Sequence, residues 1–106
     1  MKRIIWSVGL SLFAAAVAIA ADAAAGKALY DKSCKGCHGL DGKANPAIAK
    51  SMKVEMLHLG DPAVQKMSDA DLSAIITGGK GKMKGVASVK GAGVDNVVAH
   101  MRTFKP

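Results

Sequence analysis

Past residue 22 the chain contains no tryptophan, and Tyr30 and Phe104 are its only aromatic residues. So few large side chains make a thin core. A domain of this size buries only roughly 60 to 65% of its unfolded surface and is marginal unless a disulfide, metal or cofactor staples it. Cysteine is scarce too: Cys34 and Cys37 are the whole supply. Bridged to each other they would close too small a loop to constrain the unfolded chain. No run of alternating β-branched residues is present that could build a sheet. These absences leave one small domain that calls for a cofactor.

The first residues set the compartment. Met1-Lys2-Arg3 is a short basic start, Ile4 to Ile19 is an apolar run softened by Ser7, Gly9 and Ser11, and small-x-small sites follow at Ala18-Ile19-Ala20 and Ala21-Asp22-Ala23. This is the layout of a cleavable signal peptide over residues 1–22, with the cut between 20 and 23. The run is near the lower limit of about 17 residues for a membrane span. Membrane attachment is expected only if the leader is retained. A single domain over residues 23–106, soluble and in the periplasm, is the expectation.

Both thiols lie in Ser33-Cys34-Lys35-Gly36-Cys37-His38-Gly39. A structural zinc site wants four thiolate or imidazole ligands, and beyond these three the chain offers only the isolated His58 and His100. A thioredoxin-type dithiol needs a strand-helix-strand scaffold that the sequence does not supply. Covalent haem is the third reading, since C-x-x-C-H after an export signal is the attachment signature of c-type haem. On a helical or turned segment Cys34 and Cys37 share one face, and His38 projects beside them. The two thiols can then bond the vinyl groups at one porphyrin edge while the imidazole reaches the iron.

These residues resemble the small class I monohaem cytochromes c, and the resemblance covers nearly all of the chain past the leader. Gly26 and Tyr30 stand where such cytochromes keep a Gly and an aromatic on the first helix, and Gly39 completes CHG. The stretch from Ser68-Asp69-Ala70-Asp71-Leu72 through Gly81-Lys82-Met83 is similar to the family's helix and methionine loop. Val97-Val98-Ala99-His100-Met101-Arg102 is similar to its closing helix. The resemblance implies an all-α, cytochrome c-like fold of about three to five short helices around one covalently attached haem c, and electron transfer as the activity. The chain departs from the family in having Lys84, where Pro commonly follows the methionine, and in having no Trp to line the haem. The propionate partners stay unassigned.

The residues support the same elements independently. Ser68 is a helix N-cap with Asp69 and Asp71 in the first turn and Met67 placed to staple onto Leu72. Gly78 and Gly79 end that helix. Val94, Val97, Val98, Met101 and Phe104 recur at helical spacing, predicting a face that packs on the first helix where Gly26 admits close approach. Between the attachment site and Ser68 the pattern is weak. Pro46 and Pro62 read as breaks, and Met52, Met56 and Leu59 hint at a short helix.

For the second axial ligand the candidates are methionine and histidine. Met101 and Met67 are accounted for by the closing helix and the staple, and Met52 and Met56 are spaced as core. Met83 stands in a polar, Gly-rich stretch with no packing reason for a large apolar side chain, and such a loop can carry a thioether over the haem face. His58 sits among apolar residues as a packing or surface imidazole, and His100 reads as a packing residue. The expected iron ligands are therefore His38 and Met83.

Without the leader the chain keeps 13 basic residues against seven or eight acidic ones, and two haem propionates leave it still positive. Lys32, Lys35, Lys80, Lys82 and Lys84 flank the two segments that would meet the haem. That ring suits acidic redox partner proteins, drawn in by steering. Nucleic acid is excluded as a partner by the export signal, the few aromatics and the lack of a binding motif. The expected activity is one-electron transfer rather than enzymatic turnover. The alternatives are an open-site or bis-His haem protein that binds small ligands or reduces peroxide, or a haem subunit of a larger oxidoreductase.

Overall fold

The computed structural model describes Gly9 and residues 21–106. The expected signal peptide therefore lies outside the described residues, except for Gly9, Ala21 and Asp22. Six helical segments and one small hairpin follow in order: α1 (Ala23–Ser33), α2 (Lys35–His38), α3 (Pro46–Met52), α4 (Pro62–Gln65), α5 (Asp69–Gly78), β1 (Gly79–Lys80), β2 (Met83–Lys84) and α6 (Ala92–Met101). This is the expected all-α fold, two of its helical segments being only four residues long.

The frame is the crossing of α1 and α6. Tyr30 from α1 and Val94, Val97, Val98 and Met101 from α6 are buried together, with Leu72 and Ile76 of α5 and Val89 completing the core. Gly26 stands at the crossing point. A Cβ there would overlap the backbone carbonyl oxygen of Asn96, so only glycine lets the two backbones approach this closely. The crossing is tied at its end by Asp22, whose backbone N–H donates to Asn96 Oδ1 (2.8 Å) while its carboxylate caps α1 at the Ala24 and Ala25 N–H groups (2.9 and 3.1 Å).

α5 starts as its sequence dictates, with Ser68 Oγ accepting from the Asp71 N–H at 3.0 Å. It ends where Gly79 takes φ +79°, a left-handed conformation that costs glycine little. The prolines behave differently from the expectation of breaks in weak structure. Pro46 and Pro62 each occupy the first turn of a helix, where the missing N–H has no partner to lose, and each follows a capping residue, Asn45 or Asp61. The short helix hinted at by Met52, Met56 and Leu59 ends at Met52. Lys53 turns left-handed there (φ +54°), and Met56 and Leu59 continue in irregular chain.

Candidate functional site

The segment that carries both cysteines follows directly from the end of α1. The Cys34 N–H still donates to Tyr30 O (2.8 Å), and His38 N–H then donates to Cys34 O (3.1 Å) and Gly39 N–H to Lys35 O (2.9 Å). These bonds form a single helical turn. It places Cys34, Cys37 and His38 at the i, i+3 and i+4 positions that bring side chains to one side. Both thiols are free, Cys34 half-buried and Cys37 exposed.

Two residues fasten this turn by its carbonyl groups. Tyr30, fully buried, donates its hydroxyl to Gly39 O at 2.6 Å. Asn45 donates its backbone N–H to Cys37 O (2.9 Å) and its side-chain amide to Gly36 O (3.3 Å), while its Oδ1 caps α3. Sequence reasoning placed Tyr30 on the first helix but missed its hydroxyl contact, and it missed Asn45 altogether. An Asn directly before a Pro is a helix-start signal that could have marked it.

Cys34, Cys37, His38 and Met83 all line one cavity of about 840 Å³. That volume falls within the roughly 300 to 1,000 Å³ typical of cofactor sites. Its walls are largely aliphatic, with Val54, Leu59, Leu72, Ile76 and Val97 among them. The donor set and the cavity fit a covalently held haem: two thiols and an imidazole on one turn, beside an apolar slot. Among the described residues the buried His38 Nδ1 has no hydrogen-bond partner, and burial lowers the imidazole pKa. The ring is thus held neutral, the form that binds a metal. Burial and the neighbouring Cys37 raise the Cys34 pKa, keeping it a thiol.

Met83 is presented by the hairpin, in which Gly79 pairs with Lys84 and Lys80 with Met83. The hairpin is pinned to α5. Val86 N–H donates to Ile76 O (2.7 Å), and Gly85 lies so close to Thr77 O that no Cβ would fit. Met52, Met56, Met67 and Met101 also line the cavity, so position alone does not separate the five methionines. Burial separates only Met101, which lies in the core; Met52, Met56 and Met67 are half-buried like Met83, which alone stands in the hairpin, between Lys82 and Lys84.

The histidines are kept apart from one another. His58 does not line the cavity, and its Nδ1 accepts from the Gly60 N–H at 2.8 Å. His100 packs edge-to-face on Tyr30 and Phe104, with centroids 5.2 and 4.9 Å away. Among the described residues no cluster of three or more His, Cys, Asp or Glu side chains is placed to hold a metal ion, and the only sheet is the hairpin of two two-residue strands. Neither a zinc cluster nor a thioredoxin-type scaffold is present there. Of the five lysines singled out, Lys32, Lys80, Lys82 and Lys84 line the cavity and Lys35 does not.

Over residues 21–101 the chain matches the protein family described as cytochrome c oxidase, cbb3-type, subunit III. It is 31% identical over 91 residues to cytochrome c-554(547) of Halothiobacillus neapolitanus, an alignment that spans 81% of this chain and all of that protein. Among solved structures it resembles the KustC0563 c-type cytochrome, with 27% identity, a TM-score of 0.63, and coverage of 76% of this chain and 98% of that one.

Proposed function

The chain belongs to the family of cytochrome c oxidase, cbb3-type, subunit III, a family of c-type cytochromes that carry covalently bound haem c, and on that premise we propose that it is a one-electron carrier with a single His38/Met83-ligated haem. The observation that carries this reading is the single turn that brings Cys34, Cys37 and His38 to the wall of the 840 Å³ cavity.

When bound, the haem supplies a one-electron iron couple. The protein residues do the rest. Cys34 and Cys37 tether the group, and His38 offers a neutral imidazole. The Met83 thioether favours the reduced state and raises the potential. The aliphatic walls would give a bound haem an apolar, low-dielectric surround, which pushes the potential in the same direction. Lys32, Lys80, Lys82 and Lys84 at the cavity steer acidic redox proteins and speed encounter without tight binding. Among the described residues no helix is long and apolar enough to cross a membrane. The basic start, apolar run and small-residue sites of residues 1–23 support export, and with it a periplasmic place of work.

The test is spectroscopic. The oxidised, haem-loaded protein should show a sulfur-to-iron charge-transfer band and no high-spin signal. A high-spin spectrum that responds to added ligand would indicate an open site instead.

A second reading follows from the family, whose description names an oxidase subunit. In it the same haem passes electrons inside a permanent assembly. Size measurement on the native, untagged protein distinguishes the two: a monomer-sized species supports the free carrier, and co-elution with further oxidase subunits supports the assembly.

A further inference from the structure

We propose that Lys82 is a positioning residue for the second axial ligand, its ammonium strapping the Met83 hairpin to the end of α3. The proposal rests on the Met83 ligation put forward above.

α3 stops at Met52, where Lys53 turns left-handed and its N–H returns to Ala49 O and Lys50 O. The Met52 carbonyl is one of the acceptors that a helix leaves unused at its C-terminus, where a cation is also favoured. Lys82 Nζ donates to it at 2.5 Å, across 30 positions of sequence. Met52 and Lys82 both line the cavity, so the strap spans from one element of its wall to another.

The hairpin's other anchors, the Val86–Ile76 bond and the Gly85–Thr77 contact, both lie on α5. From α5 to Met83 the chain turns through Gly79 and Gly81, both left-handed (φ +79° and +57°), and on the return leg Lys84 alone separates Met83 from Gly85. These anchors fasten both legs to α5 alone, so the hairpin can pivot where it joins that helix, at Gly79 and Gly85. Among the described residues Lys82 makes the one side-chain hydrogen bond from the hairpin to another element. The chain has Lys84 after Met83 in place of a ring-constrained proline, and the Lys82 strap adds to the α5 anchors a second fastening beside the thioether.

The experiment uses the oxidised holoprotein and titrates it with imidazole, which competes with the thioether for the iron. Lys82→Gln removes the strap. Lys80→Gln and Lys84→Gln remove the same charge at the same cavity without touching it, and Lys82→Arg keeps a donor. Lys82→Gln should bind imidazole about three- to tenfold more tightly than wild type, the effect of losing one hydrogen bond. Lys80→Gln, Lys84→Gln and Lys82→Arg should stay within about twofold of wild type, as ordinary surface substitutions do. Equal shifts in all three Gln variants, no shift in Lys82→Gln, or the same shift in Lys82→Arg would overturn the strap. The ligand assignment is checked separately: if Met83→Ala retained the charge-transfer band, Met83 would not be the ligand, whatever Lys82 does.

Discussion

The backbone N–H of Asp22 donates to Asn96 Oδ1 at 2.8 Å, tying the residue that caps α1 to the middle of α6. Of the two small-x-small sites of the expected leader, only a cut after Ala20 would preserve this bond. A cut after Ala23 would remove the cap and the first residue of α1. If the leader is removed on export, N-terminal sequencing and intact mass of the mature protein should therefore find Ala21 first. Asn96→Ala should cost about 1 kcal/mol in chemical denaturation, the usual worth of one such hydrogen bond.

Gly26 is where the main chains of α1 and α6 meet, and any Cβ would overlap a backbone carbonyl oxygen rather than a side chain that can move. Gly26→Ala should destabilise the holoprotein by about 3 kcal/mol, at the upper end of overpacking, since the helices must separate to admit the methyl group. Gly36, which has open space around the same position, is the control: Gly36→Ala should change the denaturation midpoint little.

Tyr30 combines a ring in the core with a hydroxyl on Gly39 O. Burial raises its pKa far above the ordinary tyrosine value, so the hydroxyl stays a donor across the accessible pH range. Tyr30→Phe keeps the edge-to-face contacts with His100 and Phe104 and leaves the Gly39 carbonyl without its donor. The expected cost is about 1 to 2 kcal/mol, the loss of one buried hydrogen bond. The reduction potential should shift as well, since the turn that carries His38 loses one of its fastenings.

His100 gives the fold a pH dependence on the acid side. Burial among Tyr30 and Phe104 lowers its pKa below the ordinary value near 6.5, Lys27 pushes in the same direction, and Asp31 opposes both. The unfolded chain then binds a proton that the folded chain refuses. Stability should be fully present above about pH 6.5 and should decline as pH falls from there through the lower folded value. His100→Phe should flatten this part of the stability profile. An unchanged slope would assign it to other groups.

How much was legible depended on whether the signal was local. Ser68 announced α5 because capping is decided within four residues, and the valine spacing announced α6 because a helix face repeats along its own sequence. The Cys34–His38 turn was legible for the same reason. Pro46 and Pro62 were misread because a proline that ends one segment and a proline that starts another look alike until the Asn45 and Asp61 caps are weighed with them. The Tyr30–Gly39 bond, the two carbonyls held by Asn45 and the Lys82–Met52 bond join parts of the chain whose meeting only the assembled fold decides. So does the crowding of five methionines around one cavity, which spacing alone had separated into core and ligand.

Those five methionines make the ligand assignment a question for substitution. If the Met83 thioether is the second axial ligand, Met83→Ala should abolish the charge-transfer band and lower the reduction potential, because the group that favours ferrous iron is gone. Met52→Leu, Met56→Leu, Met67→Leu and Met101→Leu conserve apolar volume, so each should keep the band and cost less than about 1.5 kcal/mol. His58→Ala should keep it too, since that imidazole accepts from the Gly60 N–H and stands off the cavity lining. The potential supplies a second readout: Met67 and Met101 pack with the core, so their leucine variants should lower the unfolding midpoint more than they move the potential, and Met83→Ala should do the reverse. Retention of the methionine-type spectrum in Met83→Leu, together with its loss in one of the other variants, would transfer the role to that residue. Conversion to high spin in His58→Ala alone would indicate bis-histidine ligation.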